Sequence, residues 1–147
     1  MIDAFRSYLP RHQTTAPAIS AWSVGQHIHH CYLATNAVIA QMQAPKSEPY
    51  RYQLSIPRLF CFTLGMIPRG KGKAPQAMIP TDTLTLEQLT RELDQSDALT
   101  ARYDALPRDA YWRHPIFGRL NKPLNDRLTT IHNHHHIKII KDILARA

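Results

Sequence analysis

Apolar positions repeat with a helical period in several segments of this 147-residue chain, and proline-containing stretches separate these segments. The pattern predicts a first short helix over about residues 2–9, ending near Pro10. Ser23 can cap a longer helix that continues to Gln43. A further apolar stretch, over residues 50–66, is typical of a helix, with Pro57 placed where a helix can begin.

The second half of the chain predicts two more helices. Thr85 and Gln88 form a capping-box pattern, which opens a helix that should run to about Leu106. The last helix is predicted over about residues 122–145. Between the two halves lies the segment "IPRGKGKAPQAMIPTDT", rich in helix breakers and suited to a crossover or a loop over a site.

No segment alternates apolar and polar residues with a period of two, so the sequence predicts no sheet. We expect an all-α four-helix bundle that forms a single domain over residues 1–147. A chain of this length can bury a core without disulfides or a structural metal.

Composition places the chain among ordinary globular proteins. Its apolar fraction is 44%, without an apolar run of membrane-spanning length or a signal peptide, so we expect no membrane association. Cys31 and Cys61 make no spaced framework, which indicates a reducing, cytoplasmic setting. Cys31 is a candidate nucleophile, although a buried apolar role is the favoured interpretation.

The formal charge of +7 raises the question of nucleic-acid binding. The basic residues are scattered apart from Arg69, Lys71 and Lys73, and no nucleic-acid motif accompanies them. A solvated basic surface is therefore favoured over a nucleic-acid partner. The same charge could attract a small-molecule substrate, including an anionic one.

Four histidines fall within five positions of the last predicted helix. At 100° per residue, His132 lies at the centre of the apolar stripe and His136 within about 40° of it. His135 lies about 60° to the other side, and His134 is nearly opposite and should face solvent. Two inward imidazoles one turn apart suit a metal ion, and the alternative is a pair of hydrogen-bonded core histidines.

A metal site needs a third ligand, which the second helix can supply. His27 lies about 40° from the centre of that helix's apolar stripe, His30 about 100° from it, and His29 on the far side. Spacing alone leaves the choice between His27 and His30 open.

The segment "WSVGQHIHHC" resembles the helix-two signature of the DinB-like (YfiT-like) superfamily of metal-dependent enzymes. In that signature a Trp-Ser pair opens the helix and a ligand histidine follows eight residues after the tryptophan, which corresponds here to Trp22 and His30. His132 and His136 match the histidine pair of the family's last helix. "HPIFGRL", which begins at His114, is similar to the segment before that helix, so the resemblance spans roughly residues 22–140.

The resemblance implies an up-down-down-up bundle with a long connection, over residues 44–57, between helices two and three. It also implies a divalent metal ion held by His30, His132 and His136. Zinc and nickel are the leading ions, with iron and manganese as alternatives. The implied reaction is thiol-dependent transfer to a small electrophile, with metal-assisted hydrolysis next, and a low-molecular-weight thiol as co-substrate. His114, just ahead of the last helix, could act as an acid/base or an anion contact, and the favoured alternative is a loop histidine that serves packing.

Two other functions compete with the enzyme. The first is a non-catalytic basic module that binds nucleic acid or a protein partner, with the histidines as polar core residues. The second is a metal-binding stress protein without turnover. A homodimer is compatible with each of the three functions.

Overall fold

The computed structural model describes residues 3–70 and 74–147, and these residues are mostly helical. A 3-10 helix, Asp3–Arg11, comes first, so the predicted start of this helix at Ile2 lies outside the described residues. A short 3-10 turn, Gln76–Met78, lies in the breaker-rich segment. The remaining elements are α1 (Val24–Gln43), α2 (Ile56–Leu64), α3 (Leu86–Asp94), α4 (Ser96–Asp104), β1 (Tyr111–His114), β2 (Gly118–Asn121) and α5 (Lys122–Arg146).

The two long helices begin at residues that satisfy their first free amides. Ser23 and Gln26 form a complete capping box: Gln26 N donates to Ser23 Oγ (3.2 Å) and Ser23 N donates to Gln26 Oε1 (2.9 Å). At the start of α5, Leu124 N donates to the Asn121 side chain. The predicted extents of both helices are therefore confirmed to within about two residues.

Two features of the fold differ from the prediction. The helix expected from Thr85 to Leu106 is divided into α3 and α4 at Gln95. The segment before α5 forms an antiparallel hairpin in which Trp112 pairs with Leu120. Strands of four residues are too short for a clear alternation, which explains why the sequence predicted no sheet.

Helices α1 and α5 run antiparallel, and both contribute residues to each of the two hydrophobic clusters. Near the start of α1, Ile28 packs in a hydrophobic cluster that includes Ile140 from α5. Near its end, Ile39 packs in a second cluster that includes Leu128. Because His132 and His136 lie between members of these two clusters along α5, packing at either end fixes the position of α5 relative to α1.

Helix α2 connects the hairpin to the bundle through a buried arginine. Arg58 is 3% exposed and donates to the Phe117 carbonyl (3.1 Å), the Arg119 carbonyl (3.2 Å) and the Gln53 carbonyl. The opposite face of α2 is apolar and exposed, with Ile56, Leu59, Phe60 and Leu64.

Within residues 3–70 and 74–147, none of the helices is long and apolar enough to cross a bilayer.

Candidate metal centre

Three imidazoles from two helices converge where α1 and α5 pack against each other. His30 of α1 meets His132 and His136 of α5, and one ring nitrogen of each lies within 4.8 Å of the others. His132 Nε2 lies 3.2 Å from His30 Nε2 and 3.2 Å from His136 Nε2. The structure thus brings together the three residues that the resemblance selected.

The spacing of these nitrogens fits a divalent ion. Zinc binds imidazole nitrogen at 2.0–2.1 Å, so two ligands of a tetrahedral ion lie about 3.3 Å apart. The two separations of 3.2 Å are close to this value. Among the described residues, the group consists of three histidines, without a fourth histidine, cysteine or carboxylate. Three protein ligands are typical of catalytic zinc sites, whereas structural zinc sites have four.

His30 is oriented by the breaker-rich segment. Its Nδ1–H donates to the Met78 carbonyl over 2.8 Å, at the end of the short 3-10 turn. Since the proton occupies Nδ1 in the neutral ring, Nε2 keeps its lone pair and points at the other two histidines. This is the outer hydrogen bond that metal-binding histidines usually make.

His27 lies behind His136 rather than in the group of three. Its Nδ1 is 2.9 Å from His136 Nδ1, and its Nε2 is 3.0 Å from Ser20 Oγ. Both His27 and His30 therefore point inward, and spacing could not separate them because they occupy successive positions along the same seam. The geometry groups His30, not His27, with His132 and His136.

The buried histidines are held in their neutral form. Burial, followed by the neighbouring His30, lowers the pKa of His132 and of His27 to about 3. Burial also lowers the pKa of His136, with His132 as the next cause. Burial lowers the pKa of His30, and the hydrogen bond to Met78 partly opposes this. Neutral imidazole is the form that binds a metal, so the site is ready for an ion at neutral pH.

The remaining histidines of the two clusters lie outside the group of three. His134 is exposed, as the helical phase predicted. His135 is half-buried with its ring edge-on to His136, at a centroid distance of 5.1 Å. His29, expected on the far side of α1, is buried there by α3, where its Nδ1 lies 2.9 Å from Glu92 Oε2.

His114 ends β1 and lines the cavity next to the three histidines. Its Nδ1 accepts hydrogen bonds from Ile116 N (3.0 Å) and Phe117 N (3.1 Å), so in the neutral ring the proton is on Nε2. Burial lowers the pKa of His114 to about 4. At neutral pH it can therefore donate a hydrogen bond but not act as a base through Nδ1.

A cavity of about 350 Å³ opens beside the histidines and is mostly apolar. Trp22 lies against two of these histidines, with ring centroids 5.1 Å from His30 and 5.4 Å from His27. The walls of the cavity come from α1, the breaker-rich segment, the hairpin and α5. They include Val38, Ile39, Ile67, Met78, Trp112, Phe117, Asn125, Leu128, Thr129 and Ile139.

The other candidate groups are placed differently. Cys31 is 1% exposed, and burial raises the pKa of its thiol, so it is a core residue rather than a nucleophile. Arg69 pairs with Asp142 over 2.7 Å at the surface. Lys71 and Lys73, the basic residues grouped with Arg69 in the sequence, lie outside the described residues.

The sequence and the fold were compared with known proteins. No protein-family model, curated protein or solved structure matches this chain.

Proposed function

We propose that this chain is a divalent-metal-dependent enzyme whose ion is held by His30, His132 and His136. One observation carries the proposal: His132 Nε2 lies 3.2 Å from the Nε2 atoms of both His30 and His136. This is close to the separation expected between two nitrogen ligands of the same ion. Zinc and nickel are the leading ions, and iron and manganese are alternatives, since imidazole binds all four.

The surroundings of the triad favour an ion over three core histidines. The three Nε2 atoms face one another, and His30 Nε2 carries a free lone pair because the proton of this ring is on Nδ1. The second nitrogen of His30 is bonded to a carbonyl and that of His136 to His27. Outer partners of this kind fix the tautomer that a metal requires.

An enzyme rather than a purely structural site is supported by the ligand number and by the adjoining cavity. Three protein ligands leave a coordination position for a further group. A divalent ion there would supply a Lewis acid that lowers the pKa of a bound thiol or water.

Thiol-dependent transfer is the leading reaction, following the resemblance to the DinB-like superfamily. A low-molecular-weight thiol gives up its proton, its sulfur forms a bond to the electrophilic carbon, and the leaving group departs with its electron pair. The antiparallel α1 and α5 are compatible with the up-down-down-up bundle that this resemblance implies. Metal-assisted hydrolysis is the second reaction.

The two reactions are tested with one probe each. Cysteine and chlorodinitrobenzene report transfer, in which a carbon–sulfur bond forms, chloride leaves and the thiol proton passes to buffer. Nitrophenyl acetate reports hydrolysis. The zinc- or nickel-loaded chain should accelerate at least one reaction over metal-free protein, His132→Ala should abolish the gain, and exposed His134→Ala should retain it.

The opposite result would be a chain that binds one ion and accelerates neither reaction. That outcome would contradict the proposed enzymatic function and favour a metal-binding protein without turnover.

A further inference from the structure

The volume and the lining of the cavity beside the three histidines limit which ligands it can bind. Its volume of about 350 Å³ is roughly twice that of an engineered apolar cavity that holds one benzene. It lies at the small end of the range for small-molecule sites, about 300–1,000 Å³. A ligand of one or two rings, or an aliphatic molecule of similar size, matches this space.

The walls of the cavity carry no fixed charge in the part of the chain that the structure describes. None of its lining residues there is aspartate, glutamate, lysine or arginine. Three of the histidines among them have neutral hydrogen-bond partners: His30 bonds to the Met78 carbonyl, His27 to the Ser20 hydroxyl and His114 to two backbone amides. In the metal-free chain, an anion entering this space would lose its hydration without a compensating cationic side chain among the described lining residues.

Four polar side chains of the cavity wall, Thr35, Tyr103, Trp112 and Asn125, already have hydrogen-bond partners. Asn125 Oδ1 accepts from Trp112 Nε1 (2.9 Å), and Asn125 Nδ2 donates to Tyr103 Oη (3.1 Å). The Tyr103 hydroxyl in turn donates to Asp126 Oδ1 (2.6 Å). Thr35 Oγ1 donates to the Cys31 carbonyl of its own helix (2.9 Å). These groups are satisfied without a ligand, so the cavity presents mainly carbon to its contents.

His114 differs from them because its single donor, Nε2–H, has no hydrogen-bond partner within residues 3–70 and 74–147. Its Nδ1 is fixed as an acceptor by two backbone amides of the hairpin turn. Its ring is held flat against Phe117, at a centroid distance of 4.5 Å and an interplanar angle of 27°. The Nε2–H, on the other side of the ring, belongs to a side chain that lines the cavity.

We propose that this cavity binds an uncharged, mainly apolar small molecule whose polar end accepts a hydrogen bond from His114 Nε2. The binding of such a ligand rests on the cavity alone, whereas its role as the electrophilic substrate rests on the proposed function. This gives the electrophile a chemical class: a neutral molecule with an apolar body and one acceptor group, such as a carbonyl or an amide.

Three probes of the same shape and different polarity test the proposal. Dissociation constants of para-toluamide, para-toluate and para-xylene are measured by ligand-observed NMR on metal-free protein, so that the carboxylate cannot ligate an ion. The neutral toluamide should bind at least tenfold more tightly than the anionic toluate. Equal or tighter binding of toluate, or no binding of toluamide and xylene, would overturn the proposal.

A variant of His114 tests the hydrogen bond separately. In His114→Asn the amide oxygen can still accept from the turn amides, as asparagine does in Asx turns, while the ring donor is lost. Toluamide should then bind about three- to tenfold more weakly, the value of one hydrogen bond, and xylene should bind unchanged. Equal losses for both probes would mean that His114 only shapes the wall. Because no metal is present, failure of the metal proposal would leave these results intact.

Discussion

At the scale of single residues, the candidate ligand His136 also has an outer hydrogen-bond partner, His27, on its second ring nitrogen. His136 Nδ1 contacts His27, and His27 Nε2 contacts Ser20 Oγ. If His136 gives its Nε2 lone pair to an ion, its Nδ1–H must donate to His27, and His27 must then donate to Ser20. One arrangement of protons satisfies the whole chain of contacts.

A comparison of His27→Ala with His30→Ala tests this division of roles. His27→Ala should keep one ion per chain and weaken its affinity about 10–100-fold, as the loss of an outer partner usually does. His30→Ala should lose far more affinity, because a ligand is removed. Competition titration against a chelator measures both, with exposed His134→Ala as the matched control. Wild-type affinity in His27→Ala would contradict the positioning role.

The residues of the group of three were predictable, and those around them were not. The i, i+4 spacing placed His132 and His136 on one face, and the resemblance added His30. The contacts of Met78 and Ser20 join residues far apart in the chain or across a loop. Such contacts follow no helical period, so no pattern in the sequence reports them. The partner of His29 was missed because α1 is covered on more than one face.

At the scale of elements, the hairpin depends on α2. The guanidinium of Arg58 reaches the backbone carbonyls of Phe117 and Arg119 on the hairpin that carries His114. It lies among carbonyls rather than carboxylates, so its bonds are charge-assisted on one side. The orientation of the hairpin, which forms one wall of the cavity, is therefore set by Arg58 of helix α2.

Removal of this side chain should loosen the hairpin. Arg58→Ala leaves buried carbonyls without a donor and should lower the free energy of unfolding by about 2–4 kcal/mol. Arg51→Ala, an exposed neighbour, should change it by less than about 0.5 kcal/mol. Urea denaturation followed by circular dichroism compares the two variants. Equal stabilities would show that Arg58 does not anchor the hairpin.

Helix positions were more predictable than the elements between them. Ser23 and Pro57 carry local signals for a helix start, and both lie at the start of a helix. The break at Gln95 lacks such a signal, since glycine and proline are absent there. The hairpin depends on Trp112, Leu120 and Arg58 meeting in three dimensions, which a local pattern does not encode.

At the scale of the whole molecule, the buried histidines couple stability to pH. The folded-state pKa values of His27 and His132 are about 3 and that of His114 about 4, all below the ordinary value of 6.5. As pH falls below about 6.5, the unfolded chain takes up protons before the folded one. Their contribution to stability is thus fully present above that pH and is lost as pH falls toward the folded-state values.

Metal-free protein should accordingly unfold more easily in acid. The free energy of unfolding should be lower at about pH 5 than at about pH 7.5, as measured by urea denaturation. His132→Leu should reduce this difference, and His134→Ala should leave it unchanged. A saturating divalent ion should raise stability most at the higher pH, because its ligands must be deprotonated. Equal stability at both values in metal-free protein would contradict this coupling.

The existence of the three-histidine centre is tested most directly by the metal content of tag-free protein. After loading with zinc or nickel and removal of free ion, elemental analysis should find one ion per chain in the unaltered protein. His132→Ala and His136→Ala should each contain almost none, while His134→Ala should match the unaltered protein. Stoichiometric metal that survives both His132→Ala and His136→Ala would contradict the assignment of the site.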